Sequence, residues 1–295
     1  MKLKKPIKVS VKNQQTTPFL CTDHLVTGEV FELVFNTEKD MLITTPQPSL
    51  EQLASYYNSQ DYISHTNAKK SFFDIVYQAV KKIQINTKTK NLERLFPNKG
   101  VLLDIGSGTG DFVFRCQQLG WNATAIEPNQ TALNRGKAKG VSYIESTKKI
   151  KDNAIDCITL WHVLEHLPDL KESLKEIHRV LSFNGKVVLA VPNFLSWDAN
   201  HYQSSWAAYD VPRHLWHFSP KAIERIFSEA GFVLEKKSPM LWDAFYISML
   251  SEKIQKRKTV FLFGLLNGFR SNWHARRTGM YSSLRYELKK RTESS

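Results

Sequence analysis

The sequence predicts an α/β protein built on a doubly wound parallel sheet, and three observations carry that prediction. An apolar run, 101–105, breaks into glycines at alternate positions, Gly106, Gly108 and Gly110, after which apolar residues resume at helical spacing. A second apolar run, 123–126, ends in a carboxylate, Glu127, 21 residues beyond Gly106, close to the spacing of about 20 at which an acidic residue meets a ribose. Further apolar runs at 141–144, 155–161 and 186–191 alternate with amphipathic helices. Ligands on such sheets bind beyond the carboxyl ends of the strands, which puts Asp104, Glu127, His162 and Pro192-Asn193 around one crevice.

Glycines at every second position let the loop backbone lie against a ligand while the first amides of the next helix point towards it, so the loop reads as a cofactor cradle. The Gly-x-Gly-x-Gly spacing differs from the Gly-x-Gly-x-x-Gly of dinucleotide folds, and no Gly-Lys-Ser/Thr follows it. Both facts argue against NAD and against a nucleoside triphosphate.

The stretch Asp104-Ile105-Gly106-Ser107-Gly108-Thr109-Gly110, together with Glu127 and 156–166, resembles the class I S-adenosylmethionine-dependent methyltransferases, over roughly residues 70–240. The resemblance implies a Rossmann-like seven-stranded sheet, S-adenosylmethionine as cofactor, the glycine loop against its methionine part and Glu127 on both ribose hydroxyls. Asp104, Gly106, Ser107, Gly108, Gly110, Glu127, Pro128 and His162 are then cofactor-binding candidates.

The 295 residues, 42% of them hydrophobic, suffice for a sizeable core. The formal charge of +13 admits an acidic partner (nucleic acid, an anionic membrane surface, a phosphorylated substrate) or a plain solvated basic surface. Cys21, Cys116 and Cys157 form no pair at metal-binding spacing and read as reduced core residues of an intracellular, cytoplasmic protein. The basic start, 1–6, has no apolar core behind it and is not read as a signal peptide. No apolar run approaches the ~20 residues that span a bilayer.

Along the chain, 1–17 is a basic lead-in and 18–48 alternates like short strands. This small module resembles the zinc ribbon that precedes some methyltransferase domains. Its first pair of ligand positions holds Cys21 and His24 and its second holds Asn36 and Lys39, whereas structural zinc needs four good ligands. The expectation is a degenerate ribbon without metal. Ser49 and Gln52 form a capping box on a helix over 50–57. The aromatic segment 56–65 then offers Tyr62 and His65 either as a lid on the cofactor or as docking residues between modules, before a long helix over 69–95. The expected domains are 1–48, a helical linker 49–98, and a methyltransferase domain 99–295.

The segment His162-Val163-Leu164-Glu165-His166 fits a metalloprotease signature only in outline, because Pro168 cuts the helix that signature needs. It also resembles the Glu-x-x-Glu-His of quinone-biosynthesis O-methyltransferases, with His162 in place of the first glutamate, which weakens a hard-cation site. In the default reading His162 touches the cofactor edge, Glu165 and His166 fix the following turn, and no metal site is assigned. Further on, Asp210, Arg213, His214 and His217 place four ionisable side chains within eight residues, ahead of a helix capped by Ser219 and opened by Pro220. This cluster, similar to a Pro-Arg-His-Leu-x-His-Phe found in other methyltransferases, is read as acceptor binding or base catalysis, with His214 and His217 as bases and Arg213 pairing an acidic group on the substrate.

After a strand over 232–237, two helices rich in Phe, Leu, Met and Trp, 241–254 and 260–273, form an insertion (about 241–279) before a last strand over 281–288. With basic residues at its flanks, the insertion can cover the acceptor pocket, form a dimer surface, contact an anionic membrane in plane, or pack on the sheet. The leading function is O-methylation of a small, lipid-linked or glycan-linked acceptor in the cytoplasm or at the membrane periphery. An RNA or protein methyltransferase and a non-catalytic adenosylmethionine-binding protein are the alternatives. Nucleic acid is disfavoured because no Asn/Asp-Pro-Pro-Tyr/Phe follows the fourth strand and no RNA-binding module is legible.

Overall fold

The computed structural model describes residues 19–57, 72–257 and 259–291. In chain order these form β1 (Phe19–Thr22), β2 (Val30–Phe35), β3 (Met41–Thr45), α1 (Leu50–Tyr56), α2 (Phe72–Leu95), β4 (Val101–Ile105), α3 (Asp111–Gln118), β5 (Asn122–Ile126), α4 (Gln130–Ala138), β6 (Ser142–Tyr143) and β7 (Ile155–Trp161). There follow α5 (Leu170–Val180), β8 (Leu181–Pro192), α6 (Trp197–Tyr202), β9 (Trp216–Phe218), α7 (Pro220–Glu229), β10 (Phe232–Pro239), α8 (Leu241–Ile254), α9 (Val260–Thr278) and β11 (Ser283–Lys290). The described chain divides into two compact units, one of 19–57, 191–223 and 238–284, the other of 72–190, 224–237 and 285–291.

The second unit is organised by a seven-stranded sheet of order β10-β11-β8-β7-β4-β5-β6. Strand β4 pairs in parallel with β5 on one side and with β7 on the other. The chain therefore reverses its direction of winding between β4 and β7, the place where such sheets open a crevice at their carboxyl edge. Register decides which residues meet there: Ile105 lies opposite Ile126 and Leu160, so Gly106, Glu127 and the end of β7 emerge together. The helices follow from local sequence. Asn129 caps α4 by accepting from the Ala132 amide at 3.0 Å, and Asp169 caps α5 by accepting from Glu172 at 2.9 Å. Leu170, Leu174 and Ile177, at helical spacing, bury the inner face of α5. Leu102, Val113, Cys116, Ala125, Cys157 and Val188 form much of the core.

The first unit holds an antiparallel sheet of order β1-β2-β3-β9. Its fourth strand, with Met41 opposite Phe218, has only three residues, which leave no alternation to read in the sequence. Both turns of the hairpins are organised by one side chain each. The Asp23 carboxylate accepts from the amides of Leu25 (3.0 Å) and Thr27 (2.9 Å) and from the Thr27 hydroxyl (3.0 Å). Asn36 Oδ1 accepts from the amides of Asp40 and Met41, both at 3.0 Å. At the two places where a zinc ribbon carries metal knuckles, a carboxylate and an amide close the turns instead. Cys21 is buried among Phe31, Leu33, Leu42 and Tyr209, where burial pushes its thiol up, and His24 is exposed. The capping box is present: Ser49 N donates to Gln52 Oε1 at 2.9 Å and Gln52 N to Ser49 Oγ at 3.3 Å.

Candidate cofactor and acceptor residues

At the carboxyl edge of β4 the backbone turns left-handed three times, with φ of 71° at Gly106, 55° at Gly108 and 74° at Gly110. The three glycines answer different demands. A Cβ on Gly106 would lie 2.4 Å from Val163 Cγ2, so this glycine lets the loop touch the segment after β7. A Cβ on Gly110 would lie 2.9 Å from Tyr143 Oη and 3.2 Å from Gly136 Cα, so this one serves helix packing at the start of α3. Among the described residues nothing lies within 4 Å of a Cβ built on Gly108, over the middle of the loop.

Glu127 leaves the end of β5 and reaches that loop. Its Oε2 accepts from the Gly108 amide at 2.7 Å and its Oε1 from the Asn129 amide at 2.8 Å. Partial burial raises the carboxyl above its ordinary range, and the two amide bonds work against that rise. The amides of Gly106 and Ser107 donate to Ile126 O at 2.8 and 3.2 Å, so they stitch the loop to β5. Asp104 is only 2% exposed, and its Oδ1 accepts from Thr159 Oγ1 at 2.5 Å across the β4–β7 pair. It braces the strands beneath the loop and presents almost no surface to a ligand. Pro128 is exposed beside Glu127, and Ser107 is half-buried.

His162 follows β7 in the left-handed region, φ 57°, with its amide donating to Ala190 O at 2.9 Å. A non-glycine residue held there is an uncommon conformation that clusters at functional sites. Its Nδ1 lies 3.5 Å from Oε1 of Glu165, whose side chain is buried, so an imidazole and a carboxylate meet at the same sheet edge as Glu127.

In the first unit the second cluster resolves into two parts. Arg213, 1% exposed, pairs with Asp210 (2.6 Å) and Asp23 (3.0 Å) and donates to Tyr56 O at 3.3 Å. The acidic partners expected from a substrate are thus supplied by the chain itself, and the guanidinium joins the β1–β2 turn to the loop ahead of β9. The histidines are different. His214 Nδ1 lies 2.8 Å from Ala208 O, and a carbonyl only accepts, so Nδ1 carries a proton and, in the neutral tautomer, the lone pair is on Nε2. Thr44 Oγ1 donates to His214 O at 2.6 Å, so it accepts from His217 Nε2–H at 3.0 Å. Burial, with His214 nearby, holds His217 well below the usual imidazole range and therefore neutral. Pro192, Phe194, Trp206 and Trp216 line a hollow beside these two rings.

A family model for a methyltransferase domain matches residues 80–237, more than half of the chain. The chain belongs to the class I S-adenosylmethionine-dependent methyltransferases. The methyltransferase is 24% identical over 144 residues to the ubiquinone/menaquinone biosynthesis C-methyltransferase UbiE of Cronobacter sakazakii, an overlap of 44% of this chain and 55% of that one. It is 24% identical over 169 residues to UbiE of Zymomonas mobilis, covering 48% and 70%. It thus spans about half the length of the first of these relatives. Its fold also resembles that of Haemonchus contortus phosphoethanolamine N-methyltransferase 2, with a TM-score of 0.53 at 19% identity over 85% of this chain and 63% of that chain.

The residues of the methyltransferase fit its cofactor. The described residues leave room for a ligand against the backbone at Gly108, and Glu127, with two of its roughly four lone-pair positions taken by amides, keeps acceptor capacity for ribose hydroxyls. Sequence reasoning missed the clamp under the loop: Asp111 pairs with Lys81 at 2.6 Å and Lys139 at 2.7 Å, and Lys139 also donates to Thr109 O at 2.7 Å. An acidic residue directly after the last loop glycine was the available signal. It missed too Lys88, whose ammonium sits 4.3 Å over the Trp161 ring. Tyr62 and His65 lie outside the described residues.

Proposed function

We propose that this methyltransferase methylates a hydroxyl oxygen on a small, lipid-linked or glycan-linked acceptor, with His214 as the base. The observation that carries the reading is the His214 tautomer: the bond from Nδ1 to Ala208 O directs the basic lone pair to Nε2. S-adenosylmethionine, when bound, supplies an electrophilic methyl group. Glu127 holds the ribose hydroxyls, Gly108 admits the ligand against bare backbone, and His162 lines the same edge. His214 accepts the hydroxyl proton at Nε2, which turns a weak nucleophile into an alkoxide or phenolate at the moment of attack. Asp210 and Arg213 act as positioning residues: Asp210 O accepts from the His214 amide at 3.0 Å, and the buried ion pair fixes that turn.

A second reading, methylation at carbon, is favoured by the names of the UbiE relatives. The test is turnover of isotope-labelled S-adenosylmethionine with lipid, glycan and phenolic extracts, with the product carbon identified by NMR as methoxy or C-methyl. His214→Gln is expected to lower kcat about a hundredfold or more while leaving cofactor affinity unchanged. Unchanged kcat in His214→Gln removes the base assignment. A C-methyl product replaces the first reading by the second, and cofactor binding without turnover in any extract supports a non-catalytic role.

A further inference from the structure

Helix α9 is built inside out. The residues it buries are small or polar, namely Gly264, Asn267, Gly268, Ser271 and Ala275, at helical spacing. The glycines are required by the approach of α8: a Cβ on Gly264 would lie 2.8 Å from Met249 Cα, and one on Gly268 would lie 2.7 Å from Phe245 Cα. The polar members are satisfied within this unit. Asn267 Nδ2 donates to Tyr202 Oη and to Glu252 Oε1, both at 2.9 Å, and Ser271 Oγ donates to Asp198 Oδ1 at 2.7 Å. Backbones brought together by a Gly-x-x-x-Gly pair and joined by buried polar bonds are the packing that helices use where the surroundings are lipid.

The large apolar side chains of α9 face the other way. Leu262 is 64% exposed, Leu265 38%, Leu266 39%, Phe269 63% and Trp273 53%, a stripe at i, i+3/i+4, i+7 and i+11. A row of this kind on a soluble surface marks an interaction face. Its surroundings carry one sign of charge. Between Glu252 and Glu287 the sequence has no acidic residue, while 253–282 holds seven Lys and Arg. Lys256, Arg257, Arg270, Arg276 and Arg277 are exposed, and Arg277 lies 4.9 Å over the Trp273 ring at the rim of the stripe.

We infer that the outer face of the α8–α9 hairpin docks in plane on an anionic lipid bilayer, with the Leu/Phe/Trp stripe entering the acyl boundary and the flanking cations on lipid phosphates. Charge complementarity selects this occupant. A second copy docked on the same face would juxtapose two uniformly basic surfaces with no carboxylate between them, and a nucleic acid offers no apolar bed for five large hydrophobic side chains. Among the described residues no helix is long and apolar enough to cross a membrane, so the contact lies on the surface. The inference does not depend on which atom is methylated.

The full chain is sedimented with vesicles of phosphatidylcholine alone and of phosphatidylcholine with phosphatidylglycerol, at low and at physiological salt. Binding is expected to the anionic vesicles, to weaken with salt, and to fall about tenfold in Leu262→Ser/Phe269→Ser, two outward-facing positions whose loss leaves the α8 contact intact. Arg276→Gln/Arg277→Gln should lower binding at low salt and reduce its salt dependence. Absence of vesicle binding, equal binding by the variants, or a dimer in sedimentation velocity that the Leu262/Phe269 changes dissolve would each overturn the proposal. Vesicle binding is read without turnover, so its failure leaves the methyl-transfer reading standing, and failure of turnover leaves the docking standing.

Discussion

In the reading proposed above Glu127 holds the ribose hydroxyls, and its chemistry then sets a pH dependence. Its carboxyl titrates above the ordinary value of 4.5 because burial disfavours the charge more than two amides favour it. Only the ionised form accepts from two hydroxyls, so affinity for S-adenosylhomocysteine should fall as pH drops through a range higher than an ordinary glutamate would give. Calorimetry across that range should show the fall. Glu127→Gln should bind about tenfold or more weakly at neutral pH and lose the pH dependence. The glycines make a second prediction at this scale. Gly106→Ala meets Val163 at 2.4 Å and keeps an unfavourable positive φ, so it should cost about 1–3 kcal/mol. Val163→Ala should return the steric part of that loss in a double-mutant cycle read by denaturant unfolding. Gly108→Ala meets no atom of the described residues, so its expected cost is that of the φ, at about 1 kcal/mol.

Among the elements, the turn ahead of β9 shows how one member of a cluster that looks catalytic in sequence, Arg213, is paired within the chain. Arg213 is enclosed by two carboxylates of its own chain, and Asp23 is held below the usual carboxylate range because the Thr27 and Leu25 amides and Arg213 outweigh its burial. Removing the cation leaves Asp23 buried and uncompensated, so Arg213→Met should destabilise the protein by about 3–5 kcal/mol. Denaturant unfolding is the check, and a loss under 1 kcal/mol would return Arg213 to the list of substrate-binding candidates. The same Asp23 explains the ribbon-like hairpins. With both turns closed by side-chain bonds at Asp23 and Asn36, metal analysis of purified protein should find no stoichiometric zinc. The Ser49–Gln52 capping box and the α8 and α9 spans were legible because each depends on residues within one or two turns. Strand β9 was not, since Trp216–Phe218 is a strand only because Met41–Ile43 lie beside it.

For the whole molecule, opposed titrations shape stability. Burial pushes the Asp104 carboxyl up to about 7, against the Thr159 hydrogen bond and the Lys88 charge and with Glu127 adding to the rise. The native state then binds a proton that the unfolded chain releases, so this group's contribution falls as pH rises from about 4 to about 7. Asp111, which burial would raise, is held down to about 2 by Lys139, Lys81 and Thr109, so its contribution is present above about 4 and lost in acid. In Asp104→Asn, Tm should therefore change less between those two pH values than in the parent chain, and an unchanged slope would remove the assignment. The two compact units are each assembled from three separated stretches, whereas the sequence reads as consecutive domains. Local patterns report elements in order and carry no record of which distant stretches pack together.

The sequence by itself determined the sheet, the glycine loop and Glu127, because strand, loop, helix and the next strand are contiguous and their spacing is the geometry of the site. It also showed the apolar and basic character of 241–279. Tertiary structure alone decided the pairing of Arg213 with Asp23, which lies 190 residues away, and the ring hydrogen bonds of His214 and His217, which depend on Ala208 and Thr44. It decided as well which face of α9 looks outward, because the inner face is whichever one lets Gly264 and Gly268 meet the backbone of α8.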